Sequence, residues 1–220
     1  MLDSQRDQFS LPDDLIYLNC AARAPLPKRA QRAGQEALER LHVPRALRPE
    51  QYFERSERLR GNVAALVGTA ADRVAIVPSV SYGISIATFN TRVRRGQTVV
   101  LPEEEFMSDV YGWLAVCQRD GGSLRTVPRP KTLADVSARW SEAMMEAIDE
   151  RTAVVNLSTV HWTDGLCFDV ERIARRAREV GALLVIDGTQ SIGAMPFDYE
   201  AVRPDLLLAA AYKWFLGPYQ

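Results

Sequence analysis

Histidine is nearly missing from this chain: His42 and His161 are the only two in 220 residues. So few imidazoles exclude a multi-histidine metal centre, and no metal is expected. Cysteine is scarce too. Cys20, Cys117 and Cys167 lie far apart without CxxC spacing, which excludes a disulfide framework and a cysteine zinc site. Each is expected to be a small buried hydrophobe. No apolar run approaches the roughly 18 residues of a membrane-spanning helix, and the charged opening MLDSQRDQFSLPDD lacks the apolar segment of a signal peptide. The expectation is a cytoplasmic protein with no membrane partner. An excess of either charge is also missing: 27 Lys and Arg face 28 Asp and Glu, net −1, so nothing points to nucleic acid. The partner expected is a small molecule. Internal repeats and low-complexity linkers are absent as well.

What the chain does contain is 47% hydrophobic and 25% charged residues, the composition of one globular domain with at most a small appendage. Residues 16–20 form a short apolar strand or extended piece, followed by a proline-marked turn and a helical pattern over 28–41. A loop then leads into an amphipathic helix closing at Gly68. From there short apolar runs alternate with helices. Strands are expected at 73–79, 97–103, 123–129, 152–160, 182–187 and 205–212, with helices at 80–94, 108–121, 134–149 and 169–181, the last capped by Asp169 and ended by Gly181. Continuous apolar strands between amphipathic helices imply an α/β fold, a mainly parallel sheet flanked by helices on both sides. The only boundary expected sets an N-terminal arm, 1–27, apart from a large domain, 28–220.

Ligands of such a sheet gather at the carboxyl ends of its strands, and four motifs fall there. Asp187, in VIDGTQSIG, ends an apolar strand; it either caps the next turn or is a buried carboxylate that needs a cation or strong donors. Val80 and Ser81 open a helix whose free N–H groups suit a phosphate, unless Ser79 or Ser81 only caps it. Phe106, in EEEFMSDVY, stands at a strand-to-helix turn with Ser108 and Asp109 beside it, as a core aromatic or a stacking plate. Tyr212 and Lys213, in LLLAAAYKWFLGPYQ, follow a run of seven apolar residues. A lysine there must lose its charge, pair it, or lift it to water. Together these supply an amine, a carboxylate, an aromatic plate and an anion cradle, which are the needs of pyridoxal 5′-phosphate. A nucleotide-binding α/β enzyme is the weaker alternative: neither GxGxxG after the first strand nor GxxxxGK before Ser or Thr is present.

The stretch LLVIDGTQSIGAMPFDYEAVRPDLLLAAAYKWFLGPYQ resembles the aminotransferase class V group of fold-type-I pyridoxal-phosphate enzymes, which includes cysteine desulfurases, kynureninases and isopenicillin-N-epimerase-like proteins. The likeness extends back through STVHWTDG, FMSDVYGW, VPSVSYGIS and YLNCAARAPLP. The resemblance implies the large domain of that fold. It gives Lys213 the imine to the cofactor and Asp187 the ring-nitrogen contact. Gln190 matches the position near the ring's phenolic oxygen, Phe106 the stacking region, Val80 and Ser81 the phosphate loop, and Tyr212 a phosphate-contacting residue. Ser108 and Asp109 match positions near the cofactor, with Met107 where relatives have proline. His161 and Trp162 lie in a loop that can face substrate, Trp162 being read as packed. The histidine that desulfurases carry near Phe106 is missing, which counts against a desulfurase. Implied further are an amino-acid or amine substrate, a homodimer at full length, and a C-terminal small domain beyond the residues present, without which the chain is expected to be inactive. A non-catalytic or regulatory cofactor-binding relative is the other reading.

Overall fold

The computed structural model describes residues 3–43, 45, 48–132 and 134–218. The expected final turn runs into Tyr219 and Gln220, and the expected arm begins with Met1 and Leu2, all outside the described residues. The chain falls into two compact units. One comprises Met1–Ile76 with Ala211–Gln220, the other Val77–Ala210.

The first unit carries α1 (Lys28–Glu39) and α2 (Gln51–Val67). The helix α2 ends on Gly68 at φ 80°, the left-handed C-cap that glycine adopts without a Cβ clash. Residues 16–20 form no strand, and Cys20 already lies in a turn. The strand expected at 73–79 does not form either. Arg73 closes a short 3₁₀ turn with Ala71 and Asp72 and Val74 caps it, the Val74 carbonyl accepts from the Arg60 guanidinium at 2.7 Å, and Pro78 has no N–H to give a ladder. β-branched composition there marks extended backbone, not pairing. In the closing segment the backbone turns at 211–215, with Gly217 N–H donating to the Ala211 carbonyl at 2.8 Å and Ala24 N–H to the Tyr212 carbonyl at 3.0 Å. Lys213 is 9% exposed, its Nζ 5.9 Å from the centre of the Tyr212 ring.

The second unit is a five-stranded parallel sheet of order β2-β1-β3-β4-β5, made of β1 (Thr98–Pro102), β2 (Ser123–Val127), β3 (Thr152–Ser158), β4 (Leu183–Asp187) and β5 (Leu206–Leu208). Its helices are α3 (Val80–Phe89), α4 (Met107–Asp120), α5 (Val136–Ala147), α6 (Val170–Val180) and the single turn α7 (Tyr199–Val202). Successive strand residues face opposite ways, and the two faces build separate cores. Val99, Leu101, Val154 and Val185 pack against Ile84, Ala87, Trp113 and Val116 of α3 and α4. On the other side Val100, Val155, Leu157, Leu184 and Ile186 pack against Trp140, Met144, Ile173 and Ala177 of α5 and α6. The α/β architecture read from the sequence is the one observed, and α6 carries its expected Asp169 cap and Gly181 end.

Two elements are much shorter than expected. The helix α3 stops at Phe89. The strand expected over 205–212 stops at Leu208, because Leu208 O accepts from Gly188 N–H while Ala210 N–H turns to Thr189 Oγ1 at 3.0 Å. Lys213 therefore sits in a turn five residues past the strand and not at its end. Cysteine burial also differs: Cys117 is buried, Cys20 is half-buried and Cys167 is exposed.

Candidate active site

The chain leaves β1 for its neighbour β2, then crosses to β3 on the other side of β1. Connections diverge between β1 and β3, and in open α/β sheets the crevice outside the carboxyl ends at such a point is where ligands bind. The loops that open there carry the turn 103–106 after β1, 159–168 after β3 and 188–191 after β4.

Period-two alternation decides what β3 and β4 offer. Val154 and Val185 face α3 and α4, so Asn156, Ser158 and Asp187 belong to that same face, with Ser158 opposite Asp187 in register. Asp187 is 5% exposed and its Oδ1 accepts from Thr189 N–H at 2.7 Å. The carboxylate at the buried sheet edge is present as expected. Gly188 follows it with no room for a side chain, since a Cβ there would run into Ile192.

The turn after β1 holds a second acid. Glu105, 6% exposed, accepts from Ser158 N–H at 2.8 Å and Ser158 Oγ–H at 2.7 Å, and from Phe106 N–H at 2.8 Å. Burial pushes its carboxyl group up, against those hydrogen bonds. A third acid, Asp109, is 0% exposed in the first turn of α4. Burial raises it well above the ordinary carboxylate value, and the charges of Asp187 and Glu105 add to the rise. Asn156 Nδ2 donates to Asp109 Oδ1 at 3.2 Å, and Trp113 Nε1–H donates to Asn156 Oδ1 at 3.0 Å.

Phe106 is the residue just before α4, at the strand-to-helix turn where it was expected. Its ring meets Trp162 edge-on, centroids 5.4 Å apart. Trp162 is 43% exposed and donates its indole N–H to Glu104 O at 2.7 Å, so it lies at the surface and is not the packed residue expected. Val80 and Ser81 open α3 as expected, with Ser79 Oγ accepting from Tyr82 N–H at 3.1 Å. Ser81 Oγ and Ser108 Oγ are 2.8 Å apart, joining the first turns of α3 and α4. His161 lies among aromatics: it is 1% exposed, 5.0 Å from the Trp140 ring, and bonded to Thr163 Oγ1 at 2.9 Å. Gln190 lies two residues past Gly188 in the turn after β4. The structure thus brings Asp109 and Asp187 together, and Ser81 and Ser108. Tyr212 and Lys213 belong to the other unit.

Residues 16–219 match the family model for aminotransferase class-V. The chain belongs to the aminotransferase class-V family. Among similar class-V proteins, a probable cysteine desulfurase from Methanothermobacter thermautotrophicus is 30% identical over 221 residues, covering 98% of this chain and 54% of the relative. A kynureninase from Pseudomonas fluorescens is 27% identical over 223 residues, covering 96% and 51%. The chain spans about half the length of the curated relatives it matches. Of solved structures, a C-DES variant with glycine covalently linked to its PLP cofactor superposes with a TM-score of 0.88 at 22% identity, covering 98% of this chain and 57% of that one. The Escherichia coli cysteine desulfurase CsdA superposes with 0.82 at 22% identity, covering 97% and 55%. The class-V fold is thereby shared with both.

Three residues of this cluster went unread in the sequence: Glu105, Asn156 and Trp113. Asn156 had a signal, an amide in the middle of the apolar strand AVVNLS on the same face as Asp187. Glu105 had little, being the last of three consecutive glutamates that read as a solvated run.

Proposed function

We propose that this chain is the pyridoxal 5′-phosphate-binding part of an enzyme acting on an amino acid or amine, by transamination, elimination or epimerisation. The observation that carries the proposal is Asp187: a buried carboxylate closing a strand at the divergence point of the sheet, anchored by Thr189 N–H. The carboxyl end of β4 beside that divergence is where ligands of open α/β sheets bind, and a carboxylate there suits a protonated pyridine nitrogen. The first turn of α3 fits the group's other end, since its open N–H groups and the paired Ser81 and Ser108 hydroxyls suit a phosphate.

The cofactor, when bound, supplies an electron sink for carbanion character at the substrate's α-carbon. The chain's residues do the rest. Asp187 keeps the ring nitrogen protonated. Phe106, held by the Glu105 turn and by Trp162, presents an apolar face. Val80, Ser81, Ser108 and Tyr212 serve the phosphate and Gln190 the phenolic oxygen, whereas His161, buried against Trp140 and Phe168, packs and does not face substrate as the sequence led one to expect. Lys213 supplies the amine that binds the cofactor and moves the α-proton as general base. A homodimer and a cytoplasmic setting belong to the same reading, the former checked by sedimentation.

The test is reductive trapping. With pyridoxal phosphate added, the protein should show an absorbance band near the visible edge, and borohydride should fix the label on Lys213 in a peptide map. Label on Lys28 or Lys131 would overturn the assignment. Asp187→Asn should still take the label but lose turnover by orders of magnitude.

A further inference from the structure

His161 is one of only two histidines in the chain, and none of the cofactor's needs calls on it. It is buried beside Trp140, yet both of its ring nitrogens have polar partners. Nε2 lies 3.3 Å from the Glu103 carbonyl oxygen and Nδ1 lies 2.9 Å from Thr163 Oγ1. A hydroxyl can donate or accept, but a carbonyl oxygen only accepts, so the contact with Glu103 requires the proton on Nε2. These contacts belong to a closed circuit over three segments at the carboxyl end of the sheet. Glu103 Oε2 accepts from Arg129 N–H, just past β2, at 2.8 Å. The Arg129 guanidinium pairs with Asp164 at 2.8 Å, and Asp164 Oδ1 lies 3.4 Å from His161 Nδ1. His161 closes the circuit on Glu103. The loop after β3 is itself drawn round this residue, whose N–H donates to Leu166 O at 2.8 Å and whose carbonyl accepts from Gly165 N–H at 2.9 Å. Trp162, the next residue, is thereby carried onto the turn after β1, where its indole donates to Glu104 O and its edge meets Phe106. Trp162 is exposed, so burial does not hold it there.

We propose that His161 is a positioning residue: with its proton on Nε2 it clasps the loop after β3 to the turn after β1, and so sets Trp162 against Phe106. Histidine suits the place because its flat ring packs beside Trp140 while it offers polar atoms at two separate edges. The clasp stands on contacts within the chain. That the Phe106 ring held in this way presents its face to a cofactor rests on the function proposed above.

Nuclear magnetic resonance of the nitrogen-labelled, cofactor-free chain tests both parts. With only His42 and His161 present, the imidazole nitrogens give two patterns, and His161→Gln removes one and so assigns it. The His161 pattern should show a proton bound at Nε2. A neutral ring with its proton on Nδ1 alone overturns the proposal, whether or not any variant folds. Trp162→Phe assigns the Trp162 indole N–H signal in the same way. In His161→Phe, which keeps an aromatic ring but has no donor, that signal should shift and its exchange with solvent should quicken by about tenfold, the scale of one lost hydrogen bond. His161→Gln, whose amide can donate to Glu103 O, should recover most of the protection. The Trp113 indole, bonded to Asn156, should be unmoved in both variants. Unchanged Trp162 exchange in His161→Phe overturns the proposal. So does an equal loss in the Gln and Phe variants, or a loss at Trp113 as large as at Trp162, which would mark general loosening. Failure to bind pyridoxal phosphate would sink the proposed function and leave these results standing.

Discussion

At the amino end of the sheet, Asp120 accepts from Arg92 and Arg119 at 2.8 Å each and from Val93 N–H. Asp149 there accepts from Arg151 side chain and backbone and from Arg125. Their guanidinium partners, Arg119 for Asp120 and Arg151 for Asp149, hold both carboxyl groups below the usual range. At the carboxyl end, Glu105 meets a hydroxyl and backbone N–H groups and Asp109 a side-chain amide, and burial pushes both up. One residue type is therefore used in two ways. The amino end employs acids to tie loops to helices, each paired with guanidinium groups that reach water. The carboxyl end gathers acids away from water, an arrangement that costs stability and that marks a site made for chemistry.

Breaking the carboxyl-end network should cost the most. Trp113→Ala removes a fully buried indole and leaves Asn156 Oδ1 without its donor; a loss of about 3–5 kcal/mol is expected in denaturant titration. A loss no larger than that of an exposed residue would mean that this end is not rigidly built. Glu105→Gln comes next. It exchanges one acceptor oxygen for an amide donor facing Ser158 or Phe106 N–H, and should cost about 1–3 kcal/mol while loosening Phe106, seen as greater quenching of Trp162.

The pH response sharpens the contrast. Asp109 and Glu105, raised in the folded state, favour folding below the ordinary carboxyl values and lose that contribution as pH rises through their raised ones. Asp120 and Asp149, lowered, contribute above the ordinary values and lose it as pH falls. On acidification, amide protection measured by hydrogen exchange should fail first at Val93 and Arg151, while Asn156 and Leu157 in β3 stay protected. Simultaneous loss at both ends would erase the distinction. The smallest effect belongs to Asp120→Asn, which keeps the shape and removes the charge beside Arg92 and Arg119; its destabilisation should be modest and should shrink in high salt, whereas that of Glu105→Gln should not.

Much of this was legible in the chain. Four strands, 97–103, 123–129, 152–160 and 182–187, appear where short runs between helices placed them; β1, β3 and β4 are apolar because they are buried on both faces, while β2 is the mostly exposed edge strand. Asp187 was visible for the converse reason, a charge where such a run ends. The run at 73–79 misled because its β-branched residues state a backbone preference, while a strand needs a partner. Over 205–212 three alanines carried the apolar pattern past the point where Thr189 takes the next N–H. Glu105 was hidden because its place depends on residue 158 of a distant segment, which no local pattern records; Asn156 stood out as an amide in an apolar strand, but its pairing with residue 113 did not.

The order of the strands also sets a schedule. β1 and β2 are made early and pair with each other, but the opposite edge of β1 must wait for β3, its Val99 for Val154. During synthesis that edge stays open through the making of α4, β2 and α5, a flat apolar ribbon with unpaired N–H and C=O groups. Parallel pairings across such separations form slowly, and open edges recruit other chains in the interval. The crossover at which the connections diverge thus also leaves one edge of β1 unpaired until β3 is made, and a chaperone that shields residues 98–102 until residue 158 has emerged would cover that edge.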